Sequence, residues 1–546
     1  GDRWHVTSGK WQVSADEIAR VLAPNGVVLV MADSSPSALH APLVPRAVTG
    51  LLGWTAFVKP WPRELDEWTH WLHGPDGNPV SSDTAIEISR DLRWIEGPDW
   101  ARHHDFPPSV SAMVSAGGRT FTIIDEAPAG VTSLPGKWSL VARDAFNGLV
   151  LWKQPISQWG WEQWAESEVH LFNRQHTPAE LPRRLVATGE RVYVTMGFHA
   201  PVSELDAKTG QIIRTFEQTR GASELLLFKN RLIMSVNQTR PTRNPGESDD
   251  VVTKEVVAVD LETGLTSWRK GSIAASSVLP RHFRNRAGNL FLVAGNDSLF
   301  LADHESLVCL DLADGEERWR AARPGHTEKS RLRSGTLLSS MATLLFRDGR
   351  LFFAQIQGKD NLNGNKDHVL AATVRCLDAG TGEMIWQRDG AAVNCSESPD
   401  LFITEEALWV FKPGEMTLMG IDPTDGTVTR ETDVTKVLKT GHHARCYRNK
   451  ATGQFIFTAK EGIEYIDLKS GELTTCHWLR GGCRYGIMPA NGMIYTTPHP
   501  CGCFVNSKLN GFMALAASGG AEQLLPAKMR IEKGPAYGWE PNEAIR

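Results

Sequence analysis

The sequence predicts an all-β protein built as an eight-bladed β-propeller, with seven blades as the alternative. A short phrase, Asp followed by three residues and then Gly, recurs along the chain at intervals of 44–67 residues. Alternating apolar residues precede each copy, and turn residues such as Gly117-Gly118 mark a second hairpin upstream of most copies. Repeats of about 50 residues that carry two hairpins each are typical of propeller blades.

The recurring phrase has a physical reason to form a turn. Asp accepts backbone N–H bonds within a tight turn, and Gly takes the positive φ that other residues resist. Each copy therefore turns one β-strand back on the next. A degenerate eighth copy lies near Ala516-Ala517-Ser518-Gly519. The clear copies begin at Asp144, Asp206, Asp260, Asp311, Asp378, Asp422 and Asp467.

Tryptophan is unusually frequent, with 19 Trp against 6 Tyr. In four copies of the phrase a Trp stands eight residues after the Asp. A ring on the outer strand of one blade can wedge against the next blade, where its large apolar area stabilises the stack. We predict equivalent positions between blades for Trp152, Trp268, Trp319 and Trp386.

Composition and charge exclude several classes of protein. Hydrophobic residues make up 41% of the chain, which supplies a large core and excludes a disordered or fibrous protein. The net charge is −5 with no basic block, so no nucleic-acid partner is predicted. No apolar run approaches the ~20 residues of a membrane helix, so we predict no transmembrane segment. The chain begins at Gly1 without a signal peptide, and we expect a matured or trimmed form.

The chain divides into four predicted parts. Residues 1–60 combine a short amphipathic helix, a Pro24-Asn25-Gly26 turn and a buried strand. Residues 61–100 are rich in Pro and are interpreted as a connector into the first blade. Residues 101–525 form the propeller, and residues 526–546 form a C-terminal tail.

The repeated phrase resembles the pyrroloquinoline-quinone (PQQ)-like propeller repeat. Quinoprotein alcohol dehydrogenases and the outer-membrane assembly lipoprotein of the BamB type share this repeat, and the resemblance covers roughly residues 85–525. The segments 66–76 and 483–492 look like a group of planctomycete-type exported propeller proteins, in which the propeller often follows a methyltransferase-like domain. Residues 1–60 resemble the tail of such a domain without its glycine-rich loop, so we interpret them as a remnant. The resemblance implies a periplasmic or extracellular protein.

Candidate site residues fall in the loops that are expected to gather around the propeller axis. His can act as a general base, and Arg can hold a carboxylate with two hydrogen bonds. We predict catalytic roles for His103, His104, His442, His443 and Tyr485. We predict substrate binding by Arg102, Arg183, Arg445, Arg484 and Trp161. These side chains are expected to converge on one axial pocket that suits an anionic ligand.

Six of the eight cysteines fall into two groups. Cys309 and Cys376 lie inside predicted strands and are expected to be buried thiols. A second group lies on the predicted axial rim, as disulfides or as ligands of a soft metal, and export favours the disulfides. This group consists of Cys446, Cys483, Cys501 and Cys503. A divalent metal cofactor, Ca²⁺ or Zn²⁺, stays open.

Three functions of different classes stay open. The first is a carbohydrate-active enzyme, a lyase or hydrolase on an acidic oligo- or polysaccharide, in which Arg neutralises the carboxylate and a His or Tyr takes the proton. The second is a non-catalytic binding or assembly scaffold of the BamB type. The third is a PQQ-dependent dehydrogenase. The resemblance implies adjacent cysteines and a calcium site for this third class, and Gly502 separates Cys501 from Cys503, which disfavours PQQ.

Overall fold

The structure is a computed structural model in which strands dominate and helices are few. Its helices are Ala15–Val21 and Trp161–Trp164, with 3₁₀ turns at Leu181–Arg184 and Glu217–Thr219. It describes residues 15–31, 43–46, 52–102, 109–131, 134–164, 180–237, 251–276, 288–323, 342–356, 370–393, 399–412, 416–438, 447–499 and 509–517.

Eight antiparallel sheets, each with four strands in the blade order, confirm the predicted eight-bladed propeller. The first strands of neighbouring blades contact one another, so they form the inner ring around the axis. Blade 1 consists of Val110–Ala116, Arg119–Asp125, Trp138–Asp144 and Val150–Pro155. Blade 2 consists of Leu185–Ala187, Arg191–Thr195, Val202–Asp206 and Ile212–Phe216. Blade 3 consists of Ala222–Phe228, Arg231–Asn237, Val251–Asp260 and Thr266–Ser276.

The next four blades repeat this arrangement. Blade 4 consists of Val293–Gly295, Ser298–Ala302, Ser306–Asp311 and Glu317–Ala322. Blade 5 consists of Ala342–Arg347, Arg350–Ile356, Leu370–Asp378 and Met384–Val393. Blade 6 consists of Phe402–Ile403, Leu408–Lys412, Thr417–Ile421 and Val428–Asp433. Blade 7 consists of Lys450–Thr452, Phe455–Thr458, Ile463–Asp467 and Leu473–Cys476, with Val80–Ser81 added parallel to its inner strand.

Blade 8 closes the ring with a strand from the other end of the propeller. Three of its strands are consecutive, namely Ile487–Ala490, Met493–Thr496 and Phe512–Ala516. The fourth, outer strand is Asp91–Glu96, which pairs antiparallel with Phe512–Ala516. The predicted connector, residues 61–100, therefore supplies part of blade 8, and the two ends of the propeller are held together by backbone hydrogen bonds.

The N-terminal residues form a separate small sheet. Val27–Met31, Trp54–Val58 and Val44–Arg46 pair antiparallel, with Trp54–Val58 in the middle. Ala15–Val21 packs on this sheet through Ala19, which shares a small core with Phe57. The predicted helix, turn and strand are present here, but the strand is not buried as predicted, since Val27, Leu29 and Met31 are 43–51% exposed. The methyltransferase-like origin of the unit stays a prediction.

The Asp-to-Gly phrase forms the turn between the third and fourth strands of a blade. In blade 2 the Asp206 carboxylate accepts the backbone N–H groups of Lys208 and Thr209 at 2.9 and 2.8 Å. Gly210 closes the turn with a φ of +73°, in the left-handed region that favours glycine. This geometry confirms the predicted turn chemistry.

The four predicted Trp residues occupy equivalent positions between blades. The Trp268 indole N–H donates to the backbone oxygen of Leu312, the residue after the turn Asp of the next blade, at 3.0 Å. A Cβ on Gly315 of that turn would lie 2.5 Å from the indole ring, so the ring covers the glycine closely. The same donation joins Trp152 to Ala207, Trp319 to Ala379, and Trp386 to Pro423.

Three further residues complete this docking pattern. Trp94, on the outer strand of blade 8, donates to the oxygen of Ala145 at 2.9 Å. Arg214 and Arg430 stand eight residues after Asp206 and Asp422, where other blades carry Trp. Their guanidinium groups donate to the corresponding oxygens of Leu261 and Leu468. Hydrogen bonding, rather than the aromatic ring, is what the position shares in these blades.

Candidate functional site

Residues 66–83, which we call the axial strap, cross the inner ring of the propeller. The strap offers an acceptor to every blade, in chain order, at or next to the end of the inner strand, and Glu67 and Asp83 add second acceptors for blades 1 and 8. In each contact a backbone N–H of the blade donates to an acceptor of the strap at 2.7–3.1 Å. The pairs, from blade 8 and then blades 1 to 7, are Asn491 with Asp66 O, Ser115 with Trp68 O, Ala187 with Thr69 O, Leu227 with His70 Nε2, Ala294 with Pro75 O, Phe346 with Asp76 O, Ile403 with Asn78 Oδ1, and Ala451 with Pro79 O.

The strap supplies hydrogen-bond acceptors to the unpaired edge of the inner strands. An inner strand has a partner on one edge only, and a buried backbone N–H without a partner costs free energy. The strap supplies an acceptor to each blade, using a side chain at His70 and Asn78 and backbone oxygens elsewhere. Gly77 has a φ of +74°, and a Cβ there would lie 2.8 Å from the oxygen of Leu344, so the chain needs glycine at this close approach.

The strap buries an aromatic box around one lysine. Lys450, fully buried on the inner strand of blade 7, places its ammonium nitrogen 5.3, 5.0 and 4.2 Å from the ring centres of Trp68, Trp71 and Tyr485. The same nitrogen donates to the oxygen of Ile487 at 2.5 Å. Burial lowers the pKa of Lys450 well below its usual value.

Tyr485, a predicted catalytic residue, is part of this box. Its ring is buried, and its hydroxyl donates to the backbone oxygen of Met113 in blade 1 at 2.6 Å. Burial raises the pKa of the Tyr485 hydroxyl well above its usual value. This hydrogen bond joins blades 8 and 1 where the ring closes, so the Tyr485 hydroxyl makes a structural contact.

The other described candidates also make contacts within the protein. Arg102 pairs with Asp125 at 3.1 Å, and Arg183 lies 3.8 Å from Glu224. Arg484 has a positive φ of 75° and forms a parallel bridge with Tyr447. Cys483 is buried, and Trp161 begins the helix Trp161–Trp164. The candidates that lie outside the described residues are His103, His104, His442, His443, Arg445, Cys446, Cys501 and Cys503.

The structure identifies a different cluster, which was not predicted from the sequence. A cavity of about 510 Å³, the strap cleft, lies between the strap and the first hairpin turn of blade 1. Its polar walls come mainly from the strap itself, and Trp61 adds an aromatic wall. The lining residues are Asn25, Trp61, Leu65, Asp66, Glu67, Thr69, His73, Gly74, Pro75 and Gly117.

A histidine–carboxylate pair lies in the strap cleft. His73 Nε2 is 2.7 Å from Asp66 Oδ2, and both side chains are about one-fifth exposed, at 21% and 23%. The backbone N–H of Ser82 donates to the same oxygen at 2.7 Å. Burial opposes ionisation of Asp66, but the hydrogen bond and charge of His73, together with the Ser82 N–H, outweigh it and lower the pKa of Asp66. Asp66 is therefore a carboxylate at neutral pH.

Glu67 supplies a second carboxyl group to the cleft. Its Oε1 accepts the backbone N–H groups of Gly117 and Gly118 at 2.5 and 3.4 Å. Burial raises the pKa of Glu67, and these two N–H groups offset the rise only in part. The cleft thus holds two carboxyl groups and one imidazole.

The chain is also similar to known proteins. The model of the family described as outer membrane protein assembly factor BamB matches residues 252–522, from blade 3 to blade 8. With the docking pattern and the closed ring, this match decides the class. The chain is a PQQ-like repeat propeller. No curated protein matches the sequence of the propeller.

Three solved structures illustrate the similarity. The europium-containing methanol dehydrogenase has 11% identity and a TM-score of 0.48, over 82% of the propeller chain and 97% of its own. The quinohemoprotein alcohol dehydrogenase from Comamonas testosteroni has 11% identity and a TM-score of 0.48, over 82% and 80%. BamB from Moraxella catarrhalis has 11% identity and a TM-score of 0.42, over 78% and 97%.

The described strap indole that lies among the inner strands is buried. Trp71 is 8% exposed and packs on Tyr485, so its face is closed to a quinone. Within the described ranges, no three His, Cys, Asp or Glu side chains group as ligands for a metal ion. Likewise, none of the described helices is both long and apolar enough to cross a membrane.

Proposed function

We propose that the propeller is a carbohydrate-active protein and that the strap cleft performs acid–base chemistry on a saccharide. The observation that carries the proposal is the Asp66–His73 pair, which lies in one solvent-accessible cleft with Glu67 and an aromatic wall, Trp61. An aromatic ring that stacks on a sugar face and a pair of proton-transfer groups are what hydrolysis or elimination at a glycosidic bond requires.

The proposed roles follow from the hydrogen bonds. Asp66 accepts the Nε2–H of His73, which fixes the tautomer and leaves Nδ1 as the nitrogen that takes a proton from water or substrate. The same imidazole returns the proton to the leaving oxygen, and Glu67, whose Oε1 is held by the backbone N–H of Gly117, binds the saccharide beside it. Trp61 and Asn25 lie on the cleft wall and would orient the saccharide.

Two variants and a matched control test the proposal. We expect His73→Asn and Glu67→Gln to abolish hydrolysis or elimination of an oligosaccharide panel, with unchanged urea midpoints. His477→Asn is the control, because His477 forms a similar pair with Glu464 at 3.3 Å on another part of the protein. Turnover by His73→Asn at the parent rate would contradict the acid–base role, and failure of every saccharide to bind the parent would reject the function.

A scaffold function is the second candidate. Exposed aliphatic side chains line the outer strands of blades 8, 1 and 2, which are neighbours in the ring, and the matched family is described as an assembly factor. These side chains are 39–53% exposed: Leu92, Ile95, Leu149, Val150, Leu151, Ile212 and Ile213. Contiguous exposed apolar surface often marks a protein–protein contact.

Site-specific photo-crosslinking separates the scaffold from the enzyme. A photoreactive amino acid at Val150 should capture one defined partner in cells, while the same group at the exposed Lys208 should not. Equal labelling from both positions would contradict a specific scaffold contact.

We further propose export to the periplasm or the cell exterior. The matched family is described as an outer membrane protein assembly factor, which supports this location. Fractionation of cells that produce the native full-length protein should find it outside the cytoplasm, and recovery in the cytoplasmic fraction would contradict export.

A further inference from the structure

The strap cleft is electrostatically one-sided. The described residues that line it include two carboxyl groups, Asp66 and Glu67, and one imidazole, and none of these described residues is Lys or Arg. Arg119 lies next to the cleft and interacts with Glu67, but its guanidinium is engaged by the backbone oxygens of Gly117 and Gly189. The cleft therefore presents net negative charge to a ligand.

Two further carboxyl groups lie next to the cleft. Asp83 Oδ2 accepts the backbone N–H of Asp66 at 3.1 Å. Asp76, whose backbone oxygen accepts from blade 5, interacts with His73 through its carboxyl group. Burial raises the pKa of both groups, so the charge that a ligand meets is that of the carboxyl groups in the cleft lining. A carboxylate or sulfate on the ligand would be repelled by them, so this inference departs from the acidic saccharide that the predicted arginines favoured.

Trp61 gives the negative cleft a second feature of ammonium sites. Its ring packs edge-on against Phe146, 6.1 Å between centres, and lies over Gly118 of the hairpin turn, so its position on the cleft wall is fixed. A fixed indole face attracts a cation through its ring quadrupole, and a neighbouring carboxylate adds a charge-assisted hydrogen bond.

We infer that the ligand of the strap cleft carries an ammonium group, and that an amino sugar with a free amine is the substrate class. This inference rests on the proposed function. In this arrangement Glu67 and Trp61 select the ammonium, while Asp66 keeps His73 oriented for proton transfer. The acetylated sugar lacks the charge and loses the contact to Glu67, although its ring fits the same wall.

A matched pair of ligands tests the inference. The β-1,4-linked glucosamine tetramer and its N-acetylated form share the same backbone and differ at nitrogen, where acetylation removes the charge and adds an acetyl group. By titration calorimetry at pH 6, we expect the free-amine tetramer to bind about ten-fold more tightly, as one attractive charge contact near a protein surface supplies. A uronate tetramer should bind most weakly of the three.

Variants assign the preference to the cleft. Glu67→Gln should remove most of the ten-fold difference, while Glu126→Gln, which alters an acid paired with Lys153 outside the cleft, should leave it unchanged. Added salt at 0.5 M should shrink the difference in the parent, because screening weakens partly exposed charge contacts.

The outcomes separate this inference from the proposed function. Equal affinity for the amine and acetylated tetramers overturns the inference and leaves the saccharide site intact. If neither tetramer binds, both fail. Spermidine is the final probe, because it carries ammonium groups without a sugar ring. If spermidine binds as tightly as the amine tetramer, and if Glu67→Gln abolishes that binding, the result supports ammonium recognition but contradicts a saccharide site.

Discussion

The backbone N–H of Ser82 donates to the carboxylate of Asp66 at 2.7 Å, which joins two residues 16 positions apart after the chain between them has contacted the other seven blades. The same carboxylate holds His73. The geometry of the strap cleft therefore depends on the strap completing its circuit, and contacts on the far side of the ring help to set it.

Asn78 is the far-side contact whose loss is easiest to measure. Its side-chain amide donates to the oxygen of Ile403 at 2.8 Å and accepts the N–H of the same residue at 3.0 Å. Asn78→Ala leaves both buried groups unpaired and should lower the free energy of unfolding by about 2–4 kcal/mol. Urea titration checks this. Asn230→Ala, at an exposed turn, is the control, and equal losses for the two variants would contradict a special role for the strap contact.

A comparison of two glycines with the same backbone conformation separates the cost of backbone strain from the cost of steric crowding by a neighbouring side chain. Gly315 and Gly349 have φ values of +76° and +75°, but a Cβ on Gly315 would lie 2.5 Å from the Trp268 ring, whereas nothing lies within 4 Å of a Cβ on Gly349. Gly349→Ala should cost about 1–2 kcal/mol from backbone strain alone. Gly315→Ala should cost clearly more, because Trp268 must leave its carbonyl partner. Similar thermal melting of the two variants would show that indole docking contributes little.

His70 makes folding sensitive to acid. Burial, followed by the charge of His73, lowers its pKa from 6.5 to about 3, and its Nε2 accepts the N–H of Leu227. Between these two pKa values the unfolded chain binds more protons, so stability falls as the pH drops from 6.5 towards 3, by up to roughly 5 kcal/mol.

The His70→Gln variant isolates this effect. Glutamine offers Leu227 an acceptor that does not titrate, so the variant should be less stable than the parent at pH 7.5 and should lose less stability by pH 4.5. Denaturant titrations at several pH values check the slopes. His199→Gln is the control, and parallel pH profiles for parent and His70→Gln would assign the acid sensitivity to other groups.

Lys450 makes the stability of the protein depend on pH in the alkaline range. Burial lowers its pKa in the folded protein below the usual 10.5, so the unfolded chain binds the extra proton below 10.5 and stability rises as the pH approaches that value. Lys450→Met retains the packing against Trp71 without the charge. The variant should be at least as stable as the parent at pH 6, and its advantage should shrink towards pH 10. An advantage that grows with pH would contradict this assignment, and Lys153→Met, at an exposed ion pair, controls for surface charge.

The cysteines give a countable prediction. Cys309, Cys376 and Cys476 are buried thiols, and burial raises the pKa of Cys376 and of Cys476 to about 12. We expect the native protein to leave these three unlabelled by iodoacetamide at pH 8. Titration of the denatured, unreduced protein should find four thiols of eight, with the rim cysteines oxidised in pairs. A count of eight would contradict the disulfides.

Local turn chemistry made most of the fold predictable. Asp206 and Gly210 each have a residue-specific reason to occupy their places in the turn, and the offset to Trp152 follows from strand length. Arg214 was not predicted, because a guanidinium shares with an indole only the ability to donate an N–H hydrogen bond. Trp94 was not predicted, because its strand pairs with residues more than 400 positions later in the chain.

The strap cleft was hidden for a different reason. Most of the strap's partners are backbone oxygens, which any residue supplies, and the segment follows neither the period of a helix nor that of a strand. His and Arg in axial loops were recognisable as chemistry, but side-chain type does not distinguish an open site from an internal contact such as Tyr485 to Met113. The signal that could have found the cleft is the density of Asp, His and Trp in residues 66–76.

Repeat proteins change size by duplicating or losing a repeat, since each repeat contacts mainly its neighbours. The strap removes this freedom. It offers each blade an acceptor in a fixed order. A ninth blade would therefore have no acceptor on the strap, and the deletion of one blade would leave a strap acceptor without its donor. The third strand of blade 8 pairs with Asp91–Glu96, so the degenerate copy predicted after it joins no fourth strand. Residues 66–83 thus fix the number of blades, and they hold in place an eighth blade that is assembled from both ends of the propeller.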